Sequence, residues 1–211
     1  MDVPIGLRKP DKCGYYGKHL IFHPSRKTGR QEVCNSVLES DYCILLEWDK
    51  NVVNYASQPG ALEVKINGKK RRYHPDFRVE TREALYFTEV KHDFETINPK
   101  RRELLLAAQQ VFADLGYSLV FADTSSIRQG VKLKNIKFLY FHSFNVCDEE
   151  KTACQRWLQS IKYPVPLRAL IYTNSIVRER AVYQALFDGV LLTDLASQLT
   201  LDSLLNFNSE K

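Results

Sequence analysis

The chain has 211 residues, of which 44% are hydrophobic and 26% charged, an ordinary soluble, globular composition with room for one sizeable core and a small appendage, or for two small domains. No apolar run approaches the ~20 residues of a membrane span, and Met1-Asp2-Val3-Pro4 does not begin a basic flank followed by an apolar stretch, so a cytosolic location is expected. The net charge of +5, with a pI near 8.9, permits contact with nucleic acid without proving it.

In chain order, residues 1–30 are rich in Gly, Pro, Lys and Arg and read as an arm with one short strand at 18–22. Ser36, with Glu39 three positions on, has the form of a capping box, and Leu38, Tyr42, Leu45 and Leu46 give the following helix an apolar face that ends near Trp48-Asp49. A short extended piece at 52–55 precedes the break Gln58-Pro59-Gly60. A strand at 62–66 meets Asn67-Gly68, a strong hairpin motif, and the return strand is expected over 70–79 with Pro75 as an irregularity. A third strand covers 84–91, a long helix 99–115, and further strands 118–122 and 135–141. After about residue 145 the composition turns helical, with helices expected at 149–161, at 177–187 and, as short pieces, within 193–207. The predicted fold class is α/β, a central mixed sheet flanked by helices with a small C-terminal helical region. Its expected divisions are 1–30, 31–145 and 146–211.

Five cysteines without a CxxC pair read as reduced thiols, and Cys13, His19, His23 and Cys34 match no familiar zinc spacing. Basic clusters occur at Arg26-Lys27 with Arg30, at Lys69-Lys70-Arg71-Arg72, at Lys100-Arg101-Arg102, and at Lys132, Lys134 and Lys137. Each alone is compatible with a solvated face. The clusters at 69–72 and 100–102 bracket the most informative stretch and are the candidates for phosphate contact.

That stretch is Pro75-Asp76 followed, after twelve intervening residues, by Glu89-Val90-Lys91. On a strand Glu89 and Lys91 point the same way, as do Leu85 and Phe87, so an apolar face gives way to an acid and a base at the strand's end. If the preceding strand lies alongside, Asp76 meets Glu89. Adjacent carboxylates repel and favour a hard divalent cation between them, and Lys91 can orient or deprotonate a water and stabilise charge on a phosphate. Glu39, on the first helix among apolar neighbours, is the third candidate acid. His74, His92 and Glu47 are weaker candidates, Glu47 being read as a solvated helix residue.

These blocks resemble a known family. Asn35-Ser36-Val37-Leu38-Glu39, then Leu45-Leu46-Glu47-Trp48-Asp49-Lys50-Asn51-Val52-Val53-Asn54-Tyr55 and Gln58-Pro59, look like the opening of the TnsA endonucleases, the DNA-cutting subunits of heteromeric cut-and-paste transposases. Arg72-Tyr73-His74-Pro75-Asp76-Phe77 and Phe87-Thr88-Glu89-Val90-Lys91 look like the next two blocks, in the right order over about residues 20–145. The resemblance implies a restriction-endonuclease-like core with a winged-helix-like C-terminal region, in a bacterial cytoplasm. It implies Mg2+, replaceable by Mn2+, and hydrolysis of the strand carrying the 5′ end at transposon ends in double-stranded DNA. The implied partners are a TnsB-type transposase and a TnsC-type ATPase regulator. Residue by residue it implies a metal and catalytic role for Glu39 and Asp76 and makes Lys91 the catalytic lysine. Glu89 falls where the family can carry Gln, which leaves direct metal binding by Glu89 open. Gln58 falls in a recurrent dipeptide and is a candidate for shaping the DNA path. The stretch 194–205 reads loosely as helix, turn, helix, but is poor in Arg and Lys and better suited to protein docking than to base reading. Two further readings stay open: a stand-alone restriction or repair nuclease of the same fold, and a non-catalytic adaptor that binds DNA or a regulator.

Overall fold

The computed structural model describes residues 20–66, 68–173 and 177–209. Expectations that fall on residues 1–19, including Cys13 and His19, lie outside the described residues.

The described part of the expected arm is ordered. Strand β1 (Ile21–Pro24) pairs antiparallel with β2 (Gln31–Cys34), and the Ser25 N–H closes their connection on the Arg30 carbonyl at 2.9 Å. Two charges of the first basic cluster are used inside the fold. Lys27 donates to the carbonyls of Leu46 and Asp49, and Arg30 pairs with Glu32 at 2.8 Å. Helix α1 (Val37–Trp48) starts where the capping box places it, with the Ser36 hydroxyl accepting from the Glu39 N–H.

There follow β3 (Val52–Ser57), β4 (Leu62–Ile66), β5 (Lys69–Tyr73), β6 (Phe77–Thr81), β7 (Leu85–Lys91), α2 (Pro99–Asp114), β8 (Ser118–Asp123) and α3 (Thr124–Ile127). The central sheet has the order β3-β6-β7-β8, antiparallel except for the parallel pair β7–β8 that α2 connects. It is the mixed, helix-flanked sheet expected. The single return strand expected over 70–79 is instead two strands. Pro75 cannot donate to a ladder, and the chain changes sheets there: β5 pairs only with β4, while β6 pairs with β3 and β7. Gly68, at φ +75°, supplies the backbone conformation that the tight β4–β5 turn requires.

Neighbouring residues of β7 point to opposite faces, and each face has its helix. Phe87 meets Phe112 of α2 with ring centroids 4.5 Å apart, while Thr88 shares a 3.1 Å hydrogen bond with Tyr42 of α1. β7 is therefore buried on both sides from Phe87 to Val90. The α2 side is an apolar cluster of Val64, Tyr73, Phe87, Leu105, Ala108, Phe112 and Leu119, which also seats the β4–β5 hairpin.

The chain divides into two compact units, the first ending at Ile127 and the second beginning at Arg128, so residues 128–145 group with the second. The strand expected at 135–141 is a helix, α4 (Gly130–His142), whose buried residues Leu133, Ile136, Leu139 and Tyr140 have helical spacing. The second unit continues with α5 (Asp148–Gln159), β9 (Val165–Pro166), α6 (Leu167–Tyr172), α7 (Glu179–Phe187), β10 (Leu191–Leu192) and β11 (Leu204–Phe207). Its three strands form a sheet of order β10-β11-β9. The short helices expected within 193–207, and with them a helix-turn-helix at 194–205, are absent: a loop runs from β10 into β11. The Asn135 side chain pins that loop, donating to the carbonyls of Leu195 and Ser197 and accepting from the Leu199 N–H. Among the described residues, no helix is long and apolar enough to cross a membrane.

Phe112 is fully buried between Tyr73 and Phe87. Phe112→Ala is expected to lower the stability of the first unit by about 3–5 kcal/mol, read as a drop in its urea midpoint.

Candidate functional site

The break at Pro75 sets the site. Asp76 lies immediately before β6, one step beyond the pair Phe77–Thr88, which puts it across from Glu89 on the neighbouring strand. Two backbone bonds fix it there: the Asp76 N–H donates to the Thr88 carbonyl at 3.0 Å, and the Gln58 N–H donates to the Asp76 carbonyl at 2.8 Å. Its carboxylate oxygen Oδ2 accepts from the Val90 N–H at 2.7 Å. Lys91 Nζ reaches Asp76 Oδ2 at 3.4 Å and Glu89 Oε1 at 2.8 Å, and also donates to its neighbour's carbonyl, Val90 O, at 2.8 Å. The ammonium group thus lies between the two acids.

Glu89 is fully buried and held by three side chains. Besides Lys91, Arg101 from the first turn of α2 reaches Oε1 at 2.8 Å, and the Tyr73 hydroxyl donates to Oε2 at 2.7 Å. Glu39 is buried on α1, where its carboxylate accepts from the Asn35 N–H at 2.8 Å and from the Ser36 hydroxyl at 3.1 Å, a variant of the capping box whose backbone donor is the residue before the cap. It stays within electrostatic reach of Glu89, Lys91 and Asp76.

Burial raises the Asp76 pKa from its ordinary 3.8 to about 7. Glu89 and Glu39 push the same way, while Lys91 and the Val90 N–H oppose them. Burial likewise raises Glu39, against its cap hydrogen bonds and Lys91. Burial pulls Lys91 down, but Asp76 and Glu89 outweigh it and hold the ammonium above the usual lysine value. The result is a cluster of mutually repelling acids in which Lys91 lies between Asp76 and Glu89 and Arg101 pairs with Glu89 alone. That donor set suits a hard divalent ion, which relieves carboxylate repulsion. Among the described residues, however, no three His, Cys, Asp or Glu side chains stand together as a preformed metal-ligand set. Asp76 is the acid best placed to take an ion: its hydrogen bonds fall on Oδ2, whereas both oxygens of Glu39 and both of Glu89 accept protein hydrogen bonds.

The other expected positions separate. Gln58 is buried with φ +49°, and its backbone, by holding the Asp76 carbonyl, helps position that acid. Glu47, read from sequence as solvated, is instead buried and accepts from the Ser25 and Tyr55 hydroxyls, because the β1–β2 connection folds over α1. His92 lies just beyond the strand, exposed, with its ring 3.3 Å from the Thr124 hydroxyl. Strand alternation sorts the basic cluster of β5. Lys69 and Arg71 line a cleft of about 600 Å3 together with Lys100 and Arg101 of α2, while Lys70 pairs with Glu63 at 2.8 Å. Arg72 and Arg102 are exposed and do not line that cleft. Sequence reasoning missed Tyr73 as a partner of Glu89 and took Arg101 only for a phosphate contact. The pattern Lys69, Arg71, Tyr73 at alternate positions before Pro75 was the available clue, since it puts Tyr73 on the face shared with the basic pair.

No protein-family description matches the chain, and no curated protein matches its sequence significantly.

In metal-free buffer Asp76 governs a pH dependence. The unfolded chain releases this proton near pH 4 and the folded chain near pH 7, so stability falls as pH rises between those values and stays lowered above them. Asp76→Asn is expected to flatten that slope and to melt at or above the wild-type temperature at pH 8, measured by circular dichroism in EDTA.

Proposed function

We propose that the chain is a metal-dependent DNA endonuclease subunit of the TnsA type, hydrolysing the 5′-end strand at transposon ends with water as nucleophile. The observation that carries this reading is the meeting of Asp76, buried Glu89 and Lys91 at the junction of β6 and β7, with Glu39 in electrostatic reach. A structural ion pair needs one acid for one base; here Asp76 and Glu89 share Lys91, Arg101 adds a cation on Glu89 alone, and burial with the neighbouring acids raises the pKa of Asp76. Functional sites are where such perturbed groups gather.

In this reading the first unit is a restriction-endonuclease-like core, a fold compatible with its mixed sheet and flanking helices. Asp76 would hold a Mg2+ or Mn2+ ion, with Glu39 and Glu89 as further carboxylate ligands once their present hydrogen bonds exchange. The ion, when bound, polarises a phosphate oxygen and lowers the pKa of its water. Lys91 holds its ammonium against negative charge developing on the phosphate, and its raised pKa keeps it cationic at neutral pH. Arg101 and Tyr73 hold Glu89 in its orientation. The product would carry a 5′ phosphate and a 3′ hydroxyl. A TnsB-type transposase would process the opposite strand, and a TnsC-type ATPase would regulate the pair. From α5 onward the second unit runs helix, strand, two helices, strand, loop, strand, an order compatible with a winged helix, and it is read as a protein-docking module.

One observation favours a second reading, a DNA-binding adaptor without catalysis: the oxygens of Glu39 and Glu89 are already engaged within the protein.

Nicking of end-containing duplex, assayed with Mg2+ and the partner transposase, separates the two. The wild-type chain is expected to nick, and Lys91→Ala and Asp76→Asn to lose at least about 100-fold in rate with unchanged circular dichroism. Nicking by Lys91→Ala at the wild-type rate removes the chemical argument. Duplex binding without nicking by the wild-type chain selects the adaptor.

A further inference from the structure

The cleft between the β4–β5 hairpin and the start of α2 is open, about 600 Å3 in volume, and lined by Lys69, Arg71, Lys100 and Arg101 against one acid, Glu103. Its walls are of different origin. One is the basic face of β5, which strand alternation aims at α2; the other is the first turn of α2, which the Asn98 cap begins. Four cations converging on a space of this size match the spacing of an anionic polymer better than a single small anion, and guanidinium groups match phosphate oxygens in pairs.

Arg101 belongs to both cleft and site. Its side chain is 39% exposed, yet its guanidinium makes a 2.8 Å contact with Glu89, which is 0% exposed. If Arg101 turned to a ligand in the cleft, Glu89 would not be stranded, because Tyr73 and Lys91 still hold its two oxygens. The exchange replaces one charged partner of a buried carboxylate and withdraws one positive charge from the acids a cation must approach.

We propose that this cleft binds the phosphate backbone of a nucleic-acid strand and that Arg101 couples its filling to the acidic site: when phosphate takes the guanidinium, Glu89 Oε1 loses one of its two cationic partners and a divalent ion binds more tightly. The proposal rests on the metal-dependent reading of the preceding subsection. Arg101 is a positioning residue in it, acting through Glu89. By linkage, whatever phosphate does for metal affinity, metal does for nucleic-acid affinity.

The test uses the full chain without partners, with Mn2+ as one probe, followed by calorimetry, and a short duplex oligonucleotide in EDTA as the other, followed by fluorescence anisotropy. Arg101→Gln is expected to bind Mn2+ roughly tenfold more tightly than wild type without nucleic acid, as for loss of one charge-assisted contact to Glu89, and to bind duplex more weakly. Lys100→Gln removes the same charge from the cleft without touching Glu89, so it should weaken duplex binding and leave Mn2+ affinity at the wild-type value. Arg101→Lys, which keeps the charge, should return Mn2+ affinity toward wild type. A merely structural Arg101 would not tighten metal binding on removal. Equal Mn2+ affinities for Arg101→Gln and Lys100→Gln, with Asp76→Asn binding none, overturn the coupling and leave the metal site standing. Wild-type duplex affinity in Arg101→Gln and Lys100→Gln overturns the cleft assignment. Absence of Mn2+ binding in wild type and Arg101→Gln alike overturns the metal reading together with this one.

Discussion

Lys91 Nζ, between Glu89 at 2.8 Å and Asp76 at 3.4 Å, is the contact on which the arrangement of the first unit turns. A buried carboxylate beside a partly buried one is costly, and removing the cation between them would leave Asp76 facing Glu89 without the charge they share. The surrounding structure reads as the means of keeping that cation there. The β6–β7 ladder sets Asp76 opposite Glu89, and the Val90 N–H adds a hydrogen bond to the Asp76 carboxylate. Tyr73 and Arg101 neutralise the rest of Glu89 from outside the sheet. Even so, Asp76 remains an acid with a pKa of about 7, so the balance is incomplete and leaves room for a further positive charge.

The apolar layer behind the site is what makes it rigid. Phe87, two residues before Glu89 on the same face, packs on Phe112, and Tyr73 meets the same ring at 6.2 Å. Tyr73 thus has two roles: its ring is core, and its hydroxyl is a hydrogen-bond donor to a buried acid. Displacing the ring would displace the donor. Packing precision and electrostatic precision are coupled through this one residue.

Glu39 illustrates a competition between local and distant demands. The helix start needs acceptors for its unpaired N–H groups, and a carboxylate three residues after a serine supplies one. The same carboxylate is buried near Lys91 and Glu89. Its hydrogen bonds to Asn35 and Ser36 stabilise α1, and any engagement with an ion would have to exchange them.

Much of this was legible in the sequence because it is local. Ser36 and Glu39 declared the start of α1, Asn67-Gly68 the hairpin, and Pro99 and Gly116 the bounds of the long helix, and the shift from Phe87 to Glu89 and Lys91 marked the strand that carries the acid and the base, although Glu89 itself stays buried. The strand predicted at 135–141 failed because a short run rich in Ile, Phe, Leu and Tyr reads as strand by composition, and only the spacing of Leu133, Ile136, Leu139 and Tyr140 reveals the helix. What tertiary structure alone decided is non-local. Pro75 showed a break, but not that the chain changes sheets there. Glu47 looked like a surface acid until the β1–β2 connection covered it. Nothing in the order of residues brings Arg101 and Tyr73 to Glu89: those contacts depend on where a hairpin and a helix dock on the same sheet face, a result of packing among side chains far apart in the chain.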